Sequence, residues 1–284
     1  MKGLDISDRV RPLDMHPYDD YKVILKPLAH LHYAYRSENG GITIELSEYL
    51  KDAPDKVIND TCKAIIKWSS GRKYVAPDSL MDYISSDDFI VRSRPVYLDR
   101  SRSFRRDQLG AHKNLLDSIE RLLESGLVLE SDIQNSYITW AEHMAKYRFG
   151  QCNQMFRVIS VNPDLDSDSV PDTVVDYVVY HEILHLRQGV MRNHRPHNAK
   201  FRGWEHSYPD YERIEAYLRN FYSGRRRSGK EVGLLHQETS IGIEHDPAVI
   251  GIIQVGNDEG HLTRIGCSVP VHFKRRCFEH LTST

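Results

Sequence analysis

The stretch VPDTVVDYVVYHEILHLRQG, residues 170–189, decides how this chain is interpreted. Pro171 and Asp172 suit the first turn of a helix, because proline loses no hydrogen bond there and a carboxylate favours the positive end of the helix dipole. The valines between 174 and 179 form one apolar side, and Gly189 is typical of a helix C-terminus. The stretch therefore predicts a helix that packs one face on a core and ends near residue 189.

Two histidines and a glutamate lie on that predicted helix in the HExxH arrangement. His181 and His185 are four residues apart, so their imidazoles stand on one face, where both can bind one zinc ion. Glu182 lies beside them and can reach a zinc-bound water without binding the metal. The pattern is typical of a catalytic zinc site with Glu182 as general base. A helix with two surface histidines and a capping-type glutamate is the simpler alternative.

A catalytic zinc site of this kind needs a third protein ligand, which the segment after the helix must supply. We favour His197, because Pro196 stiffens the chain before it and Phe201 would pack the start of the next helix against the core. Glu205 and Glu215 are the main competitors, and both could instead orient the imidazoles. The remaining candidate ligands are His194, His206 and Glu212.

Peptide hydrolysis also needs a donor that stabilises the oxyanion, besides the metal. Tyr208, His206 and Arg202 are near enough in sequence to the predicted ligands to be considered. A packing or surface role is the simpler interpretation of each. We likewise expect Trp140 and Trp204 in the core rather than on a substrate platform.

These residues carry a family resemblance. HEILH, followed after eleven intervening residues by the histidine of RPHNAKFR, resembles the SprT-like zinc metallopeptidases. Trp140, Gly150 and the extended stretch RVISVNPDL, residues 157–165, are similar to the strand–turn–strand that leads into the active-site helix of that family. The resemblance covers about residues 137–222.

The resemblance implies both a function and a set of site residues. It implies that His181, His185 and His197 bind Zn²⁺ and that Glu182 is the general base. The implied enzyme is a zinc metalloendopeptidase that hydrolyses peptide bonds in protein or peptide substrates through a zinc-activated water.

Two departures from the family leave the substrate open. Many SprT-like proteins carry a C-terminal zinc ribbon with paired CxxC motifs, which Cys267 and Cys277 do not form. Some members act on DNA–protein crosslinks, yet this chain has 38 Lys+Arg against 40 Asp+Glu and no overall basic field. A non-catalytic zinc-binding module and a nucleic-acid-associated factor therefore stay open as alternatives.

The composition of the 284 residues excludes fibrous and membrane classes. Apolar residues make up 40% and charged residues 27%, close to the globular average. No apolar run approaches the roughly 18 residues that cross a bilayer, and the first residues lack the apolar core of a signal peptide. The four cysteines never form CxxC, so we expect free thiols in a cytoplasmic protein with no membrane partner. The oligomeric state is left open.

The first half of the chain repeats the pattern of the zinc-binding part. Residues 22–50 align without a gap with residues 137–165, and after two extra residues Pro54 falls on Pro171. Both copies read strand, turn, strand, then a Pro-Asp helix start and an apolar helix. In place of the HExxH residues the first copy has Ala64, Ile65 and Trp68. A duplication would therefore leave it without metal chemistry.

We predict an α+β protein in which a small, mostly antiparallel sheet packs on the HExxH helix, as in a minimal zincin. The predicted divisions are a degenerate, metal-free SprT-like repeat over 1–100, the metallopeptidase domain over 101–222, and a basic linker with a small β-rich appendage over 223–284. A helix over about 197–222 should supply the last ligand. Leu115, Ile119 and Leu122 predict an amphipathic helix before the site.

Two basic stretches, SRSFRR at 101–106 and GRRRSGK at 224–230, could contact phosphates. Because neither alternates with several aromatic residues, a solvated linker is the simpler interpretation of both.

Overall fold

Two β–β–β–α units follow one another in the chain. They are seen in a computed structural model, which describes residues 3–190, 197–222 and 251–254. The strands are β1 (Leu4–Asp5), β2 (Asp20–Lys26), β3 (His32–Glu38), β4 (Gly41–Ser47), β5 (Tyr137–Trp140), β6 (Gly150–Asn153), β7 (Val158–Val161) and β8 (Gly251–Gln254). The helices are α1 (Asp55–Ser69), α2 (Asp78–Ile84), α3 (Asp87–Arg100), α4 (Leu115–Glu124), α5 (Glu130–Ile133), α6 (Asp172–Gln188), α7 (Ala199–Glu205) and α8 (Tyr211–Asn220).

The two units have the same strand order. In the first unit, β2 to α1, strand β4 lies between β2 and β3, parallel to β2 and antiparallel to β3. In the second unit, β5 to α6, strand β7 lies between β5 and β6, parallel to β5 and antiparallel to β6. A 3₁₀ turn and a helix capped by proline follow each set of strands, at Glu48–Leu50 and α1 and at Pro163–Leu165 and α6.

Between the two units, the register of the parallel strand pair is the same, whereas that of the antiparallel hairpin differs. Val23 pairs with Ile44, and Ile138 with Ile159, so the parallel pairs match with a constant offset of 115 residues. In the hairpins, Tyr33 pairs with Leu46, whereas Gly150 pairs with Val161. The ungapped alignment is therefore wrong by two residues at β3 and β6, because the second hairpin is shorter and the loop before it longer. Tyr33 takes the place of Gly150.

The α+β class is confirmed, but the expectation of a mostly antiparallel sheet is wrong. Both sheets are mixed: the order β5-β7-β6 contains one parallel and one antiparallel pair, and the order β1-β2-β4-β3-β8 contains two of each. The cause is the loop before each hairpin, β3–β4 and β6–β7. This loop crosses the central position of the sheet, so that the second strand of the hairpin pairs in parallel with the strand before the loop, β2 or β5.

Helix α6 begins directly after Pro171 and ends at Gly189, whose φ of 73° is left-handed, as the sequence predicts. The expectation of a single apolar face is wrong, because every residue from Val174 to Leu186 is buried. Strands β6 and β7 and helices α4, α5, α7 and α8 pack around the helix. The buried acid in its first half, Asp176, is bound bidentately by Arg121 at 2.8 and 2.7 Å.

The predicted amphipathic helix is confirmed as α4. Leu115, Ile119 and Leu122 are buried against α6. The side chain of Asn114 caps the helix by accepting from the backbone N–H of Leu116.

The interpretation of residues 101–106 as a solvated linker fits the exposed Arg102, Arg105 and Arg106 but is wrong for Phe104. Phe104 is buried and forms a bridge to Ala141, while the N–H of Arg105 donates to the carbonyl of Trp140. The segment therefore extends the sheet along β5. Trp140 is fully buried, as the sequence predicts.

The predicted helix over 197–222 is in fact two helices, α7 and α8. The chain turns between them at Pro209 and at Asp210, which has a left-handed φ of 55°. The side chain of Asn198 starts α7 by accepting from the N–H of Phe201 at 3.0 Å. His197 therefore lies just before a helix rather than within one.

Several expectations concern residues outside the described ranges, among them His194, Cys267, Cys277, the basic stretch at 224–230 and most of 223–284. Within the described ranges, Cys62 and Cys152 are free thiols. None of the helices in those ranges combines the length and the apolar character that a bilayer crossing requires.

Candidate metal centre

The three predicted histidine ligands converge. His181 and His185 are buried on successive turns of α6, and His197 reaches them from the start of α7. The three rings form a near-equilateral triangle, with centroids 5.1, 5.0 and 5.2 Å apart. One nitrogen from each ring can be chosen so that all three lie within 4.8 Å of one another.

The spacing of these nitrogens fits zinc. Bonds of about 2.0–2.1 Å place two nitrogens of a zinc tetrahedron about 3.4 Å apart. The Nε2 atoms of His185 and His197 are separated by 3.4 Å. Three imidazoles leave one position of a tetrahedron for water or substrate, which is the ligand number of catalytic zinc sites.

Phe201 forms the floor of the cluster. Its ring is fully buried and stacks on His197, with centroids 4.3 Å apart and planes 10° from parallel. It also lies 4.6 Å from the ring of His185 and 5.2 Å from that of His181. The predicted role of Phe201 in packing the start of the following helix is confirmed.

A carboxylate contacts one of the predicted ligands. Oε1 of the buried Glu205 lies 2.9 Å from Nδ1 of His181. An acid at this nitrogen keeps a proton on Nδ1 and leaves Nε2 as the metal-binding atom. Of the two glutamates that competed with His197, Glu205 therefore contacts a predicted ligand, while Glu215 accepts a hydrogen bond from the hydroxyl of Tyr177 at 2.9 Å.

Glu182 is buried beside the histidines and faces strand β6. A Cβ placed on Gly150 would lie 2.5 Å from Oε1 of Glu182, so only glycine leaves space for this carboxylate. Burial raises the pKa of Glu182 to about 7, against the opposing charges of His181 and Arg148. A carboxylate with this pKa can both accept and return a proton near neutral pH.

Burial is also the main reason that the pKa of His197 is lowered to about 4, and the charge of His181 acts in the same direction. The imidazole is therefore neutral at pH 7, which is the form that binds a metal.

None of the other described residues proposed from the sequence joins the three histidines, although the charge of Arg202 helps to lower the pKa of His197. Tyr208 is buried and donates to the carbonyl of Thr173, two turns of α6 before the histidines. His206 is exposed and contacts the ring of Tyr211 at 4.5 Å. Arg202 and Glu212 are exposed.

Sequence reasoning missed Gln154, whose side-chain amide donates to the carbonyl of His185 at 2.8 Å. No local pattern marks this residue, because the contact joins a hairpin turn to a distant helix. The specific role of Gly150 had a signal, since a glycine inside a strand often marks a close approach of another group.

Fold and site together define an α+β protein in which two buried histidines of an HExxH helix meet a third, half-buried histidine, the arrangement of a metallopeptidase. Residues 111–221 match the family described as YgjP-like, metallopeptidase domain. This part of the chain is therefore similar to a family of SprT-like zinc metallopeptidases, and the resemblance noted in the sequence is confirmed. The match contains all three histidines but not the first β–β–β–α unit. No curated protein and no solved structure matches the chain.

Proposed function

We propose that this protein is a zinc-dependent metalloendopeptidase that cleaves peptide bonds in protein or peptide substrates. The observation that carries the proposal is the convergence of His181, His185 and His197 beside the buried carboxylate of Glu182. The YgjP-like family match supports the coarser part, a hydrolase that depends on a divalent metal.

In this proposal, each residue of the centre has a separate role. The three imidazoles would hold Zn²⁺, which when bound polarises the peptide carbonyl and makes water a stronger nucleophile. Glu182 takes the proton from the attacking water and returns it to the departing amine. Glu205 holds His181 in the tautomer that presents Nε2, and Phe201 fixes the rings from below.

The experiment that tests catalysis is Glu182→Gln, with Glu120→Gln on the exposed face of α4 as the matched control. Zinc content and cleavage of a quenched-fluorescent peptide library are measured together. We expect Glu182→Gln to keep its zinc and to lose about 10²–10⁴-fold in turnover. Unchanged turnover, or no turnover by the zinc-loaded wild type on any library member or unfolded protein, would favour a non-catalytic zinc-binding module instead.

We also propose that the first unit is a degenerate copy of the second. The shared strand order, the constant offset of the parallel pairs and the two proline-capped helices support this. In the copy, Ala64, Ile65 and Trp68 replace the HExxH residues, so its role is structural.

A further inference from the structure

The hairpin turn between β6 and β7 belongs to the second unit in sequence but to the first unit in packing. Phe156 is 1% exposed and stacks on Tyr97 of α3, with centroids 3.9 Å apart. Tyr49 and Phe89 complete its surroundings at 5.0 and 6.0 Å. Met155 and Val158 lie in the same core, which the first unit forms together with α2 and α3. Met155, Phe156 and Val158 of the hairpin thus form an apolar plug in the core of the metal-free part of the chain.

Polar contacts fix the orientation of this plug. The amide of Asn153 donates to the hydroxyl of Tyr97 at 2.9 Å, and its oxygen accepts from the N–H of Phe156 at 3.1 Å. Arg157 donates to the carbonyls of Gln134 and Asp132 at 2.8 and 2.6 Å. The hairpin is therefore held at both ends of its turn.

Between these anchors stands Gln154. Its Nε2 donates to the backbone carbonyl of His185 at 2.8 Å. His185 lies in the last turn of α6, and its carbonyl also accepts from the N–H of Gly189, so Gln154 adds a second hydrogen bond to it. A bond to the main chain of a ligand fixes the Cα–Cβ direction of that ligand.

We propose that the metal-free first unit, together with α2 and α3, positions the metal centre through this hairpin, with Gln154 as the positioning residue for His185 and Phe156 as its anchor. The inference rests on the proposed metal site. The packing of Phe156 in the core holds the hairpin turn in place, and the turn positions Gln154. The hydrogen bond from Gln154 to the carbonyl of His185 then positions the C-terminal end of α6.

The matched pair Gln154→Ala and Gln108→Ala tests the first link. Gln108 also donates its side-chain amide to a backbone carbonyl, that of Ile138 at 3.2 Å, but on β5 away from the histidines. Cobalt(II) affinity is measured by competition with a chelator, together with the visible absorption of the bound ion. We expect Gln154→Ala to bind cobalt about tenfold more weakly with a shifted spectrum, and Gln108→Ala to match the wild type.

Equal affinity and spectrum in Gln154→Ala and Gln108→Ala overturn the inference. A wild type that binds no cobalt contradicts the metal site itself, so the two failures are distinguishable.

The second link is tested by Phe156→Ala against Leu80→Ala, which opens the same core at α2. We expect weaker cobalt binding in Phe156→Ala only, and recovery in Phe156→Leu, which refills much of the volume. Equal losses in Phe156→Ala and Leu80→Ala would reduce the hairpin to ordinary core packing. If Phe156→Ala does not fold, Gln154→Ala still decides the matter.

Discussion

The C-terminal ends of α1 and α6 occupy matching places in two units of the same topology, yet one is a hydrophobic core and the other a candidate metal centre. At the end of α6 three imidazoles meet beside a buried carboxylate. At the end of α1 the corresponding positions hold Ala64, Ile65 and Trp68, and Ile65 is fully buried. The same backbone frame therefore supports either chemistry.

The two units also differ in the strand residue that faces the helix. Gly150 leaves room for Glu182, whereas Tyr33 occupies the equivalent ladder position and is itself fully buried. Aromatic rings fill the rest of the first unit's site: Tyr35 meets Trp68 at 4.7 Å, and Tyr74 meets Tyr33 at 6.0 Å. A polar pocket thus requires a small residue on the strand as well as polar residues on the helix.

The largest effect on stability is expected from Ile65→Glu, which places a glutamate in the first unit at the position that corresponds to Glu182 of the second. The new carboxylate would be buried without the partners that Glu182 has, which costs about 3–5 kcal/mol of unfolding free energy. Lys67→Glu, at an exposed position of the same helix, should change stability by about 0.5 kcal/mol at most. Urea denaturation measures both. Equal stabilities would show that the first unit has kept a polar pocket.

The next effect comes from moving the second unit toward the first, with Gly150→Ala. The added methyl group would collide with the carboxylate of Glu182 at 2.5 Å and displace it. We expect turnover to fall about 100-fold, equivalent to about 2.7 kcal/mol, while zinc content is unchanged. The control is Gly203→Ala on α7, where a Cβ meets nothing within 4 Å. Full activity in Gly150→Ala would contradict the assigned position of the base.

A smaller effect follows from the raised pKa of Glu182. Because the metal-free folded state holds this proton up to a pKa of about 7, against an unfolded value of 4.5, the associated stability is present below pH 4.5 and lost as the pH rises through 7. The metal-free wild type should therefore lose about 2 kcal/mol between pH 5 and pH 8 relative to Glu182→Gln, since one pKa unit is about 1.4 kcal/mol. Thermal melts across this range measure the difference; parallel curves would contradict the burial of an ionisable carboxyl.

Much of the fold could be predicted because its signals are local. Pro171 and Gly189 bound α6 in sequence and in structure, and the spacing of Leu115, Ile119 and Leu122 marks α4. The order of strands within the sheets could not be predicted, since alternation shows which residues face the core but not which strand lies alongside. The two-residue shift between the hairpins was missed for the same reason.

The site divides in a similar way. The helical spacing of His181 and His185 and the position of His197 before Phe201 are visible in the sequence. Glu205 was correctly considered as a residue behind the ligands, but sequence spacing could not show that it contacts His181 while Glu215 contacts Tyr177. The link from Gln154 to His185 depends on tertiary packing alone.

Zinc content per chain, measured in the purified wild type, His185→Ala, His197→Ala and the exposed control His206→Ala, tests the central claim most directly. The three-histidine centre predicts about one zinc per chain in the wild type and the control, and loss of zinc in the other two variants. Zinc retained by His197→Ala would transfer the third ligand to another residue. Absence of zinc from the wild type after reconstitution would contradict the metal centre and the proposed peptidase with it.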